Sequence, residues 1–110
     1  MTQNNIRKVL SEHNVIPVVN FEDINDVEKT IEKLVGKDIH CIEITLRTPK
    51  AFECVAKAKK INIDNFDVGI GTVVSSDQIK QATDLGVSFM VSPGINEKLA
   101  PHFECSQIPF

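Results

Sequence analysis

Glu43, Thr45 and Arg47 stand at alternate positions of Cys41-Ile42-Glu43-Ile44-Thr45-Leu46-Arg47-Thr48-Pro49, with Ile42, Ile44 and Leu46 between them. Side chains of a strand alternate between its two faces. The apolar set can therefore pack under helices while the other face collects a carboxylate, a hydroxyl and a guanidinium. A carboxylate on a covered strand loses hydration, which raises its pKa toward the range useful for moving protons. A guanidinium offers two parallel donors, matching the two oxygens of a carboxylate ligand. Glu43 is thus the candidate proton carrier and Arg47 the candidate anion clamp. A plain ion pair between the two is the competing reading of the same residues. Thr45 is read as supporting them from behind.

Two further blocks carry groups able to face a ligand. Gly69-Ile70-Gly71-Thr72-Val73 puts a hydroxyl directly after glycines that leave room for close backbone approach. It is not a dinucleotide fingerprint, because the third glycine and the acidic partner are not placed for one. Val91-Ser92-Pro93-Gly94 reads as a tight turn. His40 precedes its strand and reads as a rim or surface residue, and the lysines Lys57, Lys59 and Lys60 as the solvated end of a helix.

Positioning these blocks requires alternating elements. Helical spacing is expected near Asn5 to Glu12, then at Ile24, Val27, Ile31, Leu34 and Val35, with Gly36 as a left-handed end. Thr48 as cap and Pro49 as first residue would open a third helix that buries Phe52, Val55 and Ala56. Ser75 or Ser76 would open a fourth, carrying Ile79, Ala82 and Leu85 and ending at Gly86. Strands are expected at Val15–Val19, at the Glu43 block, at Asp67–Gly71 and at Phe89–Ser92. Asn96 is a further helix cap, Pro101 limits whatever starts there, and Ile108-Pro109-Phe110 reads as the opening of a fifth strand. Strands alternating with helices imply a parallel sheet, either doubly wound or part of a (β/α)8 barrel.

The three blocks occur in the order and spacing of the 2-keto-3-deoxy-6-phosphogluconate and 4-hydroxy-2-oxoglutarate aldolases, which the chain resembles, with Ile16-Pro17-Val18 ahead of them. The resemblance implies the barrel, and a single domain over 1–110 that supplies about its first half, since a full barrel takes ~250 residues. It implies class I aldol cleavage of a 2-keto acid, yielding pyruvate with glyceraldehyde 3-phosphate or glyoxylate. Glu43 would serve the protons, Arg47 and Thr72 would hold the pyruvate half, and Pro93 would lie against the substrate. The family's Schiff-base lysine falls on a sixth strand, beyond residue 110. Lys37, Lys50, Lys80 and Lys98 have polar surroundings unlike that setting. An inactive half-barrel or self-assembling module is the other reading. The family's trimeric assembly is a further expectation.

Composition narrows the classes. Net charge is −3 with no basic block, which argues against a nucleic-acid surface. No apolar run reaches membrane-spanning length, so a cytoplasmic protein without membrane partners is expected. Cys41, Cys54 and Cys105 form no C-x-x-C and read as reduced thiols. His13, His40 and His102 show no ligand spacing along the chain, so neither a metal nor another cofactor is expected.

Overall fold

The computed structural model describes residues 2–61 and 63–110. Helices and strands alternate as α1 (Thr2–Ser11), β1 (Val18–Val19), α2 (Asp26–Gly36), β2 (Cys41–Thr45), α3 (Ala51–Lys60), β3 (Asp67–Gly71), α4 (Ser76–Leu85), β4 (Phe89–Met90) and α5 (Ala100–Ser106). The strands form one parallel sheet in the order β1-β2-β3-β4.

Register separates the two faces. Val19, Ile44, Ile70 and Met90 align across the sheet, as do Ile42 and Val68. These side chains, apart from the half-buried Val19, are buried with Val27 and Ile31 of α2, Cys54 and Val55 of α3 and Ile79 and Ala82 of α4. This helix-covered face is the apolar core. Val18, Glu43, Gly69 and Phe89 align on the opposite face, followed by Thr45 and Gly71. Val18 there is 61% exposed. The expected division of Ile42 and Ile44 from Glu43 and Thr45 therefore holds.

Several boundaries differ from those the sequence suggests. β1 is two residues long, because Pro17 has no N–H to donate; its carbonyl still accepts from the Glu43 N–H at 2.9 Å. β2 stops at Thr45, so Leu46 and Arg47 lie in the turn that follows. β4 ends at Met90, although the Val91 N–H still donates to the Ile70 carbonyl at 2.8 Å. No strand forms at residues 108–110, yet the Met90 N–H donates to the Pro109 carbonyl at 2.9 Å along the β4 edge.

Helix ends show local signals competing with tertiary ones. Ser75 caps α4 by accepting from the Gln78 N–H at 3.2 Å, and Gly86 closes it with φ 69°. Gly36, by contrast, stays helical, and the left-handed residue is Asp38 with φ 60°. The Ile39 N–H reaches back to the Leu34 carbonyl and the Asp38 N–H to that of Val35, a Schellman closure set two residues later than expected. Thr48 does not cap α3. Its hydroxyl donates to the Phe21 carbonyl in the β1–α2 connection at 2.8 Å, and α3 begins at Ala51 behind Lys50. The buried stripe of α3 is Ala51, Cys54, Val55 and Ala58, with Phe52 and Ala56 half-buried at its margin. Asn96 accepts from the Lys98 and Leu99 N–H groups, and Pro101 sits in the first turn of α5. A missing N–H costs nothing at that position, so Pro101 opens a helix there.

Candidate active site

Parallel strands feed their carboxyl ends into one rim, and the sequence blocks meet there. Glu43 rises from the middle of β2 on the open face, opposite Gly69 of β3. Its carboxylate leans one step further along, toward Gly71. A Cβ placed on Gly71 would collide with the Glu43 Oε2 and lie 2.9 Å from its Cδ. The glycine is thus the recess that receives the carboxylate and lets it point at the rim. Gly69 has a separate purpose: a Cβ there would collide with the ring atoms of Phe89, which is fully buried. Both glycines make room for side chains of the protein, whereas the sequence suggested close backbone approach to a ligand.

Glu43 is half-buried, and desolvation by that burial raises its carboxyl pKa above the ordinary 4.5. A group shifted in this direction retains a proton closer to neutrality, as general acid–base work requires. Among the described residues no salt bridge joins Glu43 to Arg47, so the plain ion pair is not formed. Arg47 is exposed in the turn after β2, and its Nε donates to the Thr72 Oγ1 at 3.4 Å.

Thr72 directly follows β3 with φ 62°. A β-branched residue in the left-handed region is strained by about 1–3 kcal/mol and persists only where its surroundings impose it. Here the flanking Leu46 N–H to Gly71 carbonyl bond (3.0 Å) and the Val73 N–H to Val91 carbonyl bond (3.1 Å) hold the turn. Pro93 is exposed just past β4, in a turn where the Ser92 hydroxyl and the Gly94 backbone bond each other. Glu43, Arg47, Thr72 and Pro93 therefore share one end of the sheet. Thr45 is 5% exposed, and its hydroxyl has no partner among the described residues. A buried hydroxyl left unpaired is costly.

The other end of the sheet holds an arrangement that spacing along the chain did not reveal. His13 Nε2 lies 2.7 Å from Asp67 Oδ2, a contact between residues 54 positions apart. Glu12 joins them, with one ligand-type atom of each residue within 4.8 Å of the others. Only the parallel pairing that starts β3 beside the end of α1 brings these groups together. Next to Asp67 in the register stands Cys41, whose thiol donates to the Val15 carbonyl. Burial, and secondarily the Asp67 charge, push that thiol up to about 11, so it is not a nucleophile at neutral pH. Burial also raises the Cys54 thiol, and no disulfide links the cysteines.

Among the described residues no lysine lies on a strand; Lys37, Lys50, Lys80 and Lys98 are all exposed on helices or turns. Among the described residues no helix is long and apolar enough to cross a membrane.

The model of the KDPG and KHG aldolase family matches residues 6–110. The chain is 39% identical over 88 residues to the 2-dehydro-3-deoxy-phosphogluconate aldolase of Zymomonas mobilis subsp. mobilis, covering 80% of this chain and 41% of that protein. It is 36% identical over 97 residues to the Treponema pallidum enzyme of the same name, covering 88% and 46%. The crystal structure of the Z. mobilis 2-keto-3-deoxy-6-phosphogluconate aldolase with 3-phosphoglycerate superposes with a TM-score of 0.88 at 34% identity, over 97% of this chain and 50% of that one. The Legionella pneumophila KDPG aldolase, with pyruvate captured as a covalent carbinolamine, gives 0.87 at 31% identity, over 94% and 50%. The chain thus spans about half the length of the relatives it matches, and its sheet corresponds to half of their TIM barrel. By sequence and by fold, this chain belongs to the KDPG and KHG aldolase family.

Proposed function

We propose that this chain supplies the proton-transfer and carboxylate-binding part of a class I 2-keto acid aldolase. The carrying observation is the Glu43 carboxylate, desolvated and seated over Gly71, on the same rim as Arg47 and Thr72. The substrates are 2-keto-3-deoxy-6-phosphogluconate, cleaved to pyruvate and glyceraldehyde 3-phosphate, and 4-hydroxy-2-oxoglutarate, cleaved to pyruvate and glyoxylate. Arg47 receives the substrate carboxylate through its paired donors and Thr72 donates its hydroxyl to the same half, exchanging their mutual hydrogen bond for the ligand. Glu43 takes and returns protons at the carbons and oxygen of the pyruvyl half. Pro93 forms a wall against which that half packs.

Carbon–carbon cleavage through an imine needs an amine of lowered pKa in a desolvated setting. The exposed lysines of this chain lack that setting, so the nucleophile comes from the second half of the barrel. In this reading residues 1–110 are one incomplete barrel domain, with 108–110 opening its fifth strand. The Pro109 carbonyl on the β4 edge supports that placement. A trimer and a cytoplasmic location complete the proposal.

The test is intact mass after incubation with pyruvate and borohydride, run on this chain and on a form extended by the second half. The expected result is a covalent adduct on the extended form only. On the extended form, Glu43→Gln should lower turnover by about 10²–10⁴-fold, the usual worth of a positioned proton carrier. An adduct on the short chain would make one of its own lysines the nucleophile. Absence of an adduct on both would overturn the imine mechanism.

A further inference from the structure

We propose a zinc site at the amino end of the sheet, formed by Glu12, His13 and Asp67, which ties the end of α1 to the start of β3. The donor set is one imidazole and two carboxylates. That set suits zinc and leaves a fourth position for water, whereas magnesium favours oxygen-only, six-coordinate shells. It also balances a dication, since two carboxylates carry the opposite charge.

The geometry is close to what the ion needs. Donor atoms about 2.1 Å from a tetrahedral zinc stand about 3.4 Å from each other. His13 Nε2 and Asp67 Oδ2 are 2.7 Å apart and need to open by about 0.7 Å. Glu12, whose donor lies within 4.8 Å of both, is exposed and free to swing inward. The His13 side chain is only 9% exposed, so the imidazole is already held in place before an ion arrives. The site is reached from a cavity of about 880 Å³ that Glu12 and His13 line together with Lys37, Asp38, His40 and Asp64. His40 Nε2 meets Asp38 there at 2.9 Å, and the ligand-type atoms that converge among the described residues are those of Glu12, His13 and Asp67.

Zinc takes the Nε2 lone pair, so His13 must carry its proton on Nδ1, the tautomer opposite to the one that donates to Asp67. That change is visible in ring ¹⁵N shifts and separates coordination from loose ion attraction. The site lies at the far end of β3 from Gly71, about 13 Å from the rim at ~3.3 Å per residue. It therefore acts as a structural latch and is independent of the aldolase reading.

The experiment is calorimetric titration of the chain with zinc chloride, in a Cys105→Ser background that removes the exposed thiol. Thermal unfolding and histidine ¹⁵N spectra accompany it. The expected result is one zinc per chain, a Tm that rises with zinc because only the folded chain assembles the trio, and a His13 tautomer switch. Glu12→Gln removes an exposed ligand without touching the His13–Asp67 bond. It should weaken zinc at least tenfold and leave the zinc-free Tm unchanged. His13→Gln can still donate to Asp67, and it should weaken zinc at least a hundredfold. His40→Gln should keep the affinity. No binding at millimolar zinc would overturn the proposal, as would an affinity unchanged in both the Glu12 and His13 variants.

Discussion

The two faces of the same strands obey different rules. On the helix side, Ile42, Ile44, Val68, Ile70 and Met90 interlock with four helices into a buried apolar layer. On the open side, within a few ångströms through the same backbone, stand a desolvated carboxylate, an unpartnered hydroxyl and two glycines that carve room for their neighbours. Stability is concentrated on one face, and the other carries unfavourable groups that the first offsets. A strand alternates every residue, so one substitution can be assigned cleanly to one side.

The largest difference should come from Ile44→Ala, set against any open-face change of similar size. Ile44 is fully buried, and truncating such a side chain costs about 2–5 kcal/mol. Denaturant unfolding reads this directly. If the loss stayed below 1 kcal/mol, the helix-side face would not be the core.

The glycines sharpen the contrast within the open face. Gly69→Ala meets the ring of buried Phe89 and should cost about 1–3 kcal/mol. Gly71→Ala meets the end of the Glu43 side chain, which can rotate away. The fold should then change by less than about 0.5 kcal/mol, as at sites with room to adapt. Turnover of the extended form should nonetheless fall with Gly71→Ala, since Glu43 loses its aim. Equal stability losses at the two positions would mean that Glu43 is as rigidly packed as Phe89.

Thr45→Val tests whether the open face sacrifices stability. The hydroxyl is buried without a partner, so the isosteric methyl should stabilise the chain by about 1 kcal/mol in thermal unfolding. A loss of stability would reveal a bound partner for that hydroxyl, a water for instance.

The faintest effect is on pH. The folded-state pKa of Glu43 is raised, so the folded chain binds more protons than the unfolded one just above the ordinary carboxylate value of 4.5. Stability should therefore fall as pH rises from there through the folded pKa. Glu43→Gln should remove that slope. A variant whose pH–stability curve parallels the parent would show that Glu43 is not desolvated.

Alternation and helical spacing made much of this legible in advance: the apolar set Ile42 and Ile44, the polar set Glu43 and Thr45, the cap at Ser75 and the end at Gly86 all follow from local periodicity and local backbone chemistry. The sequence also drew attention to Glu43, because a charged group inside an apolar strand demands a purpose. What it hid was settled by tertiary partners. Thr48 had the profile of a cap, but its hydroxyl bonds the Phe21 carbonyl. Gly36 had the profile of a helix end, but the closure runs through Leu34, Val35 and Asp38. Gly71 gave no sign of receiving Glu43, and the meeting of His13 with Asp67 depends on strand pairing alone.

The strand order carries a consequence for how the chain is made. Each strand pairs with the one synthesised just before it, and each crossover is a single helix. A ribosome delivers residues from the amino end at about 5–20 per second, whereas a crossover helix forms in about a microsecond. Each new strand has only to dock on the edge of the strand made just before it, so the sheet can grow vectorially during translation.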